Sequence, residues 1–254
     1  YSYSAHTLNV DLLELDCHMT KDGKAVVIHD ENLGRLCGTP DINVSKTNYA
    51  DLPPLLLRPE LSPEARVRIA ADPDGTRIPL LSELLAEFPR YPMQIDVKDG
   101  PEALVIDVGN QIIAKGRELD TVWGSFKAPI SNLCRVHFGT SIPLMFTVTR
   151  MLQAYAMWGV GALGWMELDE SAMVAPYMWW LIRPGFLEAL NRRGVAVIVF
   201  GGSGALNTVE EYETVAKLGA NGICTDRPAL LTEWLKSNRL NKVEDFYTGG
   251  AQSS

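Results

Sequence analysis

The residues best suited to chemistry sit early in the chain: Glu14, Asp16 and His29, on either side of Asp22-Gly23. Two carboxylates suit a hard divalent cation, which takes oxygen ligands. An imidazole beside them suits a general acid or base, because it gains and loses a proton near neutral pH. The flanking segments, Leu13-Glu14-Leu15-Asp16-Cys17 and Ala25-Val26-Val27-Ile28, have strand character, and Asp-Gly between such runs is the strongest short-range hairpin signal. With Asp22 and Gly23 as the two central turn residues, Asp16 is expected to face His29, and Glu14 to face Glu31. Opposed residues share a face, so one side of the ribbon would carry Glu14, Asp16 and His29; a longer turn would shift that register. His18 has the same parity but lies nearer the turn, and is expected to face solvent. Further on, Met93-Gln94-Ile95-Asp96-Val97-Lys98 reads as a strand with Asp96 and Lys98 on one face, an arrangement that a structural ion pair would also explain.

The elements that must position these groups alternate. Strand candidates at 121–126, 143–148, 195–200 and 222–225 are interleaved with helical stretches near 102–116, 130–138, 186–193 and 209–218. Such alternation means βα units around a parallel sheet, and the number of strands favours a barrel over an open sheet. No G-x-G-x-x-G opens a helix after a strand, which weakens a dinucleotide-binding reading. The Pro-rich stretch 40–77 reads as a long connection with one short helix near 63–71; loops of that length tend to be functional rims. Residues 82–88 read as a helix that Ser82 would cap. Residues 151–182 hold four of the six tryptophans, and their two uncharged runs are shorter than the roughly 18–20 residues that cross a bilayer. This stretch is read as an aromatic-rich insertion, a lid or interfacial segment able to touch a membrane surface, with an ordinary outer helix as the plain alternative. Residues 1–238 are expected to form one domain, and 239–254 a flexible tail.

The 254 residues suffice for one sizeable core. A net charge of −8 argues against nucleic acid as a partner but not against a metal-neutralised phosphate. The four cysteines show no metal-type spacing and no disulfide framework, so a reducing, intracellular setting is expected, cytoplasmic or peripheral to a membrane.

Leu13-Glu14-Leu15-Asp16-Cys17, Thr20-Lys21-Asp22-Gly23 and Val27-Ile28-His29-Asp30 resemble the glycerophosphodiester phosphodiesterase family. So do Ile78-Pro79-Leu80-Leu81-Ser82-Glu83, Gln94-Ile95-Asp96-Val97-Lys98 and Gly222-Ile223-Cys224-Thr225-Asp226-Arg227-Pro228, in family order along most of the chain. Asn32 and the aromatic stretch look most like the eukaryotic, lysophospholipase D-like branch. The resemblance implies a TIM (β/α)8-type barrel with its site at the C-terminal rim of the strands. It implies a divalent ion, Mg2+ or Ca2+, on Glu14, Asp16 and Asp96, the last standing where the family usually has Glu. It also implies Lys98 on the phosphate and His29 as an acid/base residue; Phe200 stands where the family usually has a Trp-containing strand end, and can still line a glycerol or acyl pocket. The implied substrate is a glycerophosphodiester or a lysophospholipid. The family's opening strand, with His-Arg-Gly and a second catalytic histidine, has no counterpart here, and Tyr1 to Val10 match the helix after it. The barrel is therefore expected to be open between its second and eighth strands. An inactive barrel or a non-catalytic binding module stays open as an alternative to the metal-dependent hydrolase.

Overall fold

The structure, a computed structural model, describes residues 1–57, 63–72, 74–201 and 206–238. The chain forms two compact units, one from residues 15–90 and 95–142, the other from 1–14, 91–94 and 143 onward.

The first unit carries most of β1 (Leu13–Met19), then β2 (Ala25–Val27), α1 (Gly34–Cys37), α2 (Pro63–Ala71) and α3 (Leu81–Glu87). Most of β3 (Met93–Val97) follows, with α4 (Glu102–Ala114), β4 (Thr121–Gly124) and α5 (Ala128–Phe138). Its strands lie side by side in the order β2-β1-β3-β4. β1 and β2 are antiparallel, with Cys17 opposite Val27, His18 opposite Val26 and Met19 opposite Ala25. The Thr20 amide donates to the Lys24 carbonyl at 2.9 Å, so the loop has three residues, Lys21, Asp22 and Gly23, rather than two. Gly23 takes φ 76°, the left-handed conformation that closes a three-residue hairpin loop. Thr20 stabilises the wider loop by donating its hydroxyl to Asp22 Oδ1 at 2.7 Å and accepting the Lys24 amide at 2.9 Å.

The expected register is therefore off by one. The Ile28 amide donates to the Asp16 carbonyl at 2.9 Å, so Asp16 lies opposite Ile28 and not His29. A slip of one residue moves a side chain to the other face, and the hairpin ladder alone does not set His29 beside Asp16.

The Pro-rich excursion is held down by a small core of its own: Val26, Ile28, Leu33, Cys37, Val44 and Ile78 are buried together. It is also sewn to the hairpin loop, since the Asp22 carboxylate accepts the Tyr49 amide at 2.9 Å and the Lys21 amide donates to the Thr47 carbonyl at 3.0 Å. α2 falls where the sequence put it. α3 starts at Leu81, and the Glu83 carboxylate accepts the Leu80 amide at 2.8 Å, so Ser82 lies inside the helix instead of capping it. β3 is buried along its whole length, which draws Asp96 into the interior.

The second unit continues with β5 (Leu144–Met145), α6 (Val148–Gly159), β6 (Glu170–Pro176), α7 (Pro184–Asn191), β7 (Ala196–Phe200), α8 (Val209–Lys217), β8 (Gly222–Ile223) and α9 (Pro228–Ser237). β5 to β8 pair in sequence, all parallel. Helix starts are marked as physics expects: the Thr147 hydroxyl accepts the Arg150 amide, Thr208 and Glu211 form a reciprocal capping box, and Pro184 and Pro228 occupy first turns. Met173, Ala175, Val197 and Val199 on the strands pack with Phe186, Leu187, Tyr212 and Trp234 on the helices.

The aromatic stretch 151–182 is not an insertion. It comprises most of α6, the whole of β6 and the approach to α7. Tyr155 stacks edge-on to Phe186, with centroids 5.2 Å apart, and lies 5.6 Å from Trp158, so these rings fill the seam between α6 and α7. Trp165 and Trp179 stay 87% and 72% exposed, but one precedes β6 and the other follows it. A buried parallel strand lacks the period-two signal, and Glu-Ser-Ala-Met-Val-Ala-Pro shows none. Among the described residues no disulfide is formed, and no helix is long and apolar enough to cross a membrane. The tail from residue 239 lies outside the described residues.

Candidate active site

Asp16 on β1 and Asp96 near the C-terminal end of β3 meet around Lys98, the residue just beyond β3. The Lys98 amide donates to the Cys17 carbonyl at 3.0 Å, which sets β3 against β1; period-two alternation then gives Asp96 and Lys98 a common face. Lys98 Nζ lies 2.7 Å from Asp16 Oδ1 and 2.5 Å from Asp96 Oδ2. Asp96 is 1% exposed, and its Oδ1 is buried with no hydrogen-bond partner.

Burial raises the Asp96 carboxyl above the usual carboxylate range, against the pull of Lys98. Burial would lower the Lys98 ammonium, but Asp96 and Asp16 together carry it above the ordinary lysine range. One shift opposes an ionised pair and the other favours it. Both follow from a dry site: Asp96 loses more to desolvation than an ammonium shared with Asp16 returns.

His29 lies just past β2, with its side chain 64% exposed. Its Nδ1 is 2.7 Å from Asp30 Oδ1, and Asp30 accepts Arg35 Nε and Nη2 at 2.7 and 2.8 Å, a bidentate fork. Arg35, and then His29 itself, hold the Asp30 carboxyl below its ordinary range despite partial burial. A carboxylate only accepts, so Nδ1 carries the proton and Nε2 is the nitrogen that can exchange one. A positive charge on His29 lowers the Asp96 pKa, so the imidazole shares that centre's field.

His18, expected to face solvent, is 4% exposed. Its Nε2 is 3.1 Å from the His29 carbonyl, and its Nδ1 is 3.2 Å from Glu31 Oε2, off the line of a hydrogen bond. Burial lowers the imidazole pKa, partly offset by the His29 carbonyl and Glu31. Its parity with Glu14 and Asp16 was the available signal. His18 pairs with Val26 inside the ladder, and the His29 carbonyl and Glu31 close over its ring. Glu31, beyond the end of β2, lies not opposite Glu14 but beside His18 and Ser45, whose amide donates to Glu31 Oε1 at 3.0 Å.

Glu14 is half-buried on β1, one alternation step from Asp16, and Phe200 is the half-buried last residue of β7, its carbonyl accepting the Tyr177 amide at 2.6 Å. Both belong to the second unit. Among the described residues no three His, Cys, Asp or Glu side chains lie close enough to hold a metal ion as they stand. The donor set still fits a hard cation: every proposed ligand is a carboxylate, and Asp96 Oδ1 is a buried acceptor with nothing to accept.

Parallel βα units, with Asp16 of β1, Asp96 near the end of β3 and Lys98 just beyond it drawn together, define an α/β protein of the barrel class. Residues 2–230 match the glycerophosphoryl diester phosphodiesterase family, and the chain belongs to it. A rat protein named lysophospholipase D GDPD1 is 33% identical over 257 residues, covering 92% of this chain and 79% of its own. Human lysophospholipase D GDPD3 is 28% identical, over 90% of this chain and 77% of its own. The fold is shared with a putative glycerophosphoryl diester phosphodiesterase from Silicibacter pomeroyi at TM-score 0.68 and 20% identity, covering 92% of this chain and 85% of that one. An Oleispira antarctica phosphodiesterase, solved in complex with sn-glycerol-3-phosphate, aligns at TM-score 0.66 and 15% identity, covering 91% of this chain and 87% of that one.

Proposed function

We propose that the protein is a metal-dependent phosphoric diester hydrolase. Water cleaves a glycerophosphodiester into glycerol 3-phosphate and an alcohol, or a lysophospholipid into lysophosphatidic acid and its head-group alcohol. The observation that carries this reading is the Asp16–Lys98–Asp96 cluster between β1 and β3 of a chain that matches the family over residues 2–230. The named activity of the rat relative, 33% identical, supports the lysophospholipid branch.

In this reading Asp16 and Asp96, with Glu14 one step back along β1, hold a divalent ion, Mg2+ or Ca2+. A bound ion of this kind withdraws charge from phosphoryl oxygens. Lys98 adds a fixed positive charge for the same oxygens, which matters most as negative charge builds in the transition state. His29 Nε2 takes a proton from the attacking water or gives one to the leaving alcohol, while Asp30 and Arg35 hold the ring in one tautomer. Phe200 lines the glycerol or acyl pocket. Residues 1–238 act as one barrel domain in an intracellular protein, cytoplasmic or membrane-peripheral. Contact with a membrane surface falls to the aromatic stretch 151–182, where Trp165 and Trp179 are exposed.

The test measures choline or ethanolamine released from glycerophospho- and lyso-substrates, with Mg2+, with Ca2+ and with a chelator. Turnover of either substrate, lost on chelation and in Asp16→Asn and His29→Ala, is expected. No turnover of either substrate with either ion would overturn the reading.

A further inference from the structure

His18 takes no part in the chemistry proposed above, yet it touches the peptide that carries the acid/base imidazole. A carbonyl can only accept, so His18 Nε2 bears the ring proton and donates it to the His29 carbonyl at 3.1 Å. The surrounding bonds give this contact its meaning. β2 ends at Val27, and the Ile28 amide makes a further bond to β1, onto the Asp16 carbonyl at 2.9 Å. On the far side, the Glu31 carbonyl accepts the Val44 amide at 2.9 Å, and the Glu31 carboxylate accepts Ser45 Oγ at 2.5 Å. Between those anchors, His29 sits on a stretch outside the ladder, and the buried His18 ring is the side chain that ties its peptide back to β1. Glu31 Oε2, 3.2 Å from Nδ1, brackets the ring from the other side.

We propose that His18 is a positioning residue that clamps the His29 peptide to β1 and so aims the His29 imidazole at the Asp16–Lys98–Asp96 centre. The proposal rests on the acid/base reading of His29. Its action needs the Nε2 donor and the buried placement of the ring, and no change of charge.

Two variants separate clamping from bulk. His18→Gln carries an N–H at about the reach of Nε2, whereas His18→Phe keeps a ring of similar size without the donor. A misplacement of about 1 Å can cost about 100-fold in rate, so His18→Phe is expected to lower kcat by about 10- to 100-fold with KM within about twofold, and His18→Gln to recover to within about threefold of wild type. Amide hydrogen exchange of residues 28–31 should accelerate in the Phe variant and stay near wild type in the Gln variant. In a His29→Ala background, adding His18→Phe should cost nothing further. Equal impairment of the Phe and Gln variants, wild-type kcat in His18→Phe, or unchanged exchange would overturn the clamp. Full activity in His29→Ala is a different result, which overturns the acid/base reading, while the exchange comparison still tests the bond itself.

Discussion

Replacing Lys98 with Met keeps the aliphatic stem and removes the charge, leaving Asp16 and the 1% exposed Asp96 facing each other without a cation. Removing one partner of a buried pair typically costs about 3–5 kcal/mol, because the other charge is stranded. Lys98 itself is 21% exposed, which favours the lower end, so a loss of about 3 kcal/mol of unfolding free energy is expected in metal-free buffer near pH 8. Asp96 has an escape, which is to take up a proton. Its folded pKa is already raised by burial, and losing Lys98 raises it further. A raised carboxyl contributes stability that is fully present below its unfolded pKa and lost as pH rises through the folded one, so the variant's deficit should shrink as the buffer is acidified. A divalent ion replaces the missing charge. At 100 times its dissociation constant it adds about 2.7 kcal/mol to any protein it binds only when folded. In the wild type the ion must first displace the ammonium from both carboxylates, so the gain at equal ion concentration should be larger in Lys98→Met. Urea unfolding at two pH values, with and without Mg2+ or Ca2+, reads all three quantities. A metal-free urea midpoint equal to wild type at pH 8, or an identical metal increment in both proteins, would refute the reasoning.

Other outcomes follow from single contacts. Arg35→Ala should let the Asp30 pKa return upward; the lowered carboxyl contributes stability above its ordinary range and loses it as pH falls through the folded value, so the acid limb of the kcat profile should move to higher pH in the variant. Gly23→Ala meets nothing within 4 Å, so its cost is conformational, about 1–2 kcal/mol by thermal melting, and Gly23→Asn should cost less. Gly109→Ala drives a methyl group into the Phe138 ring, which packs edge-on to Trp123, and should destabilise by about 1–3 kcal/mol with a change in tryptophan fluorescence. Trp179→Ala should weaken co-sedimentation with phosphatidylcholine vesicles while leaving hydrolysis of a water-soluble glycerophosphodiester unchanged.

The Asp16–Asp96–Lys98 part of the candidate site is legible because these side chains come in short local patterns. Asp96 and Lys98 alternate on one strand, and a strand can place them in only one way relative to each other. Leu13-Glu14-Leu15-Asp16 is equally explicit. The pairing of His29 was misread for a definite reason: Asp-Gly fits both a two-residue loop and the last two positions of a three-residue loop, and the Thr20 hydroxyl decides between them through contacts that no spacing rule contains. His18 was missed because its burial comes from partners beyond β2, the His29 carbonyl and Glu31, which no alternation rule brings back over β1. β6 was hidden by its own burial, since a strand covered on both faces offers no alternation and its tryptophan-rich flanks suggested a surface instead. α4 and α8, by contrast, fall within the helical stretches expected near 102–116 and 209–218.

The hairpin and the Lys98 contact also imply an order of assembly. β1, the three-residue loop and β2 are neighbours along the chain, and hairpins of this kind form in about 1–10 μs. Lys98 arrives from far downstream, after a loop-closure cost that the hairpin never meets. Until then Asp16 is a carboxylate on an isolated ribbon, hydrated and inexpensive. It loses water at the moment its counter-charge docks, so the chain need not carry an unpaired buried anion through folding. The residue proposed to meet the substrate's phosphate is thus also the one whose arrival permits the centre to dry.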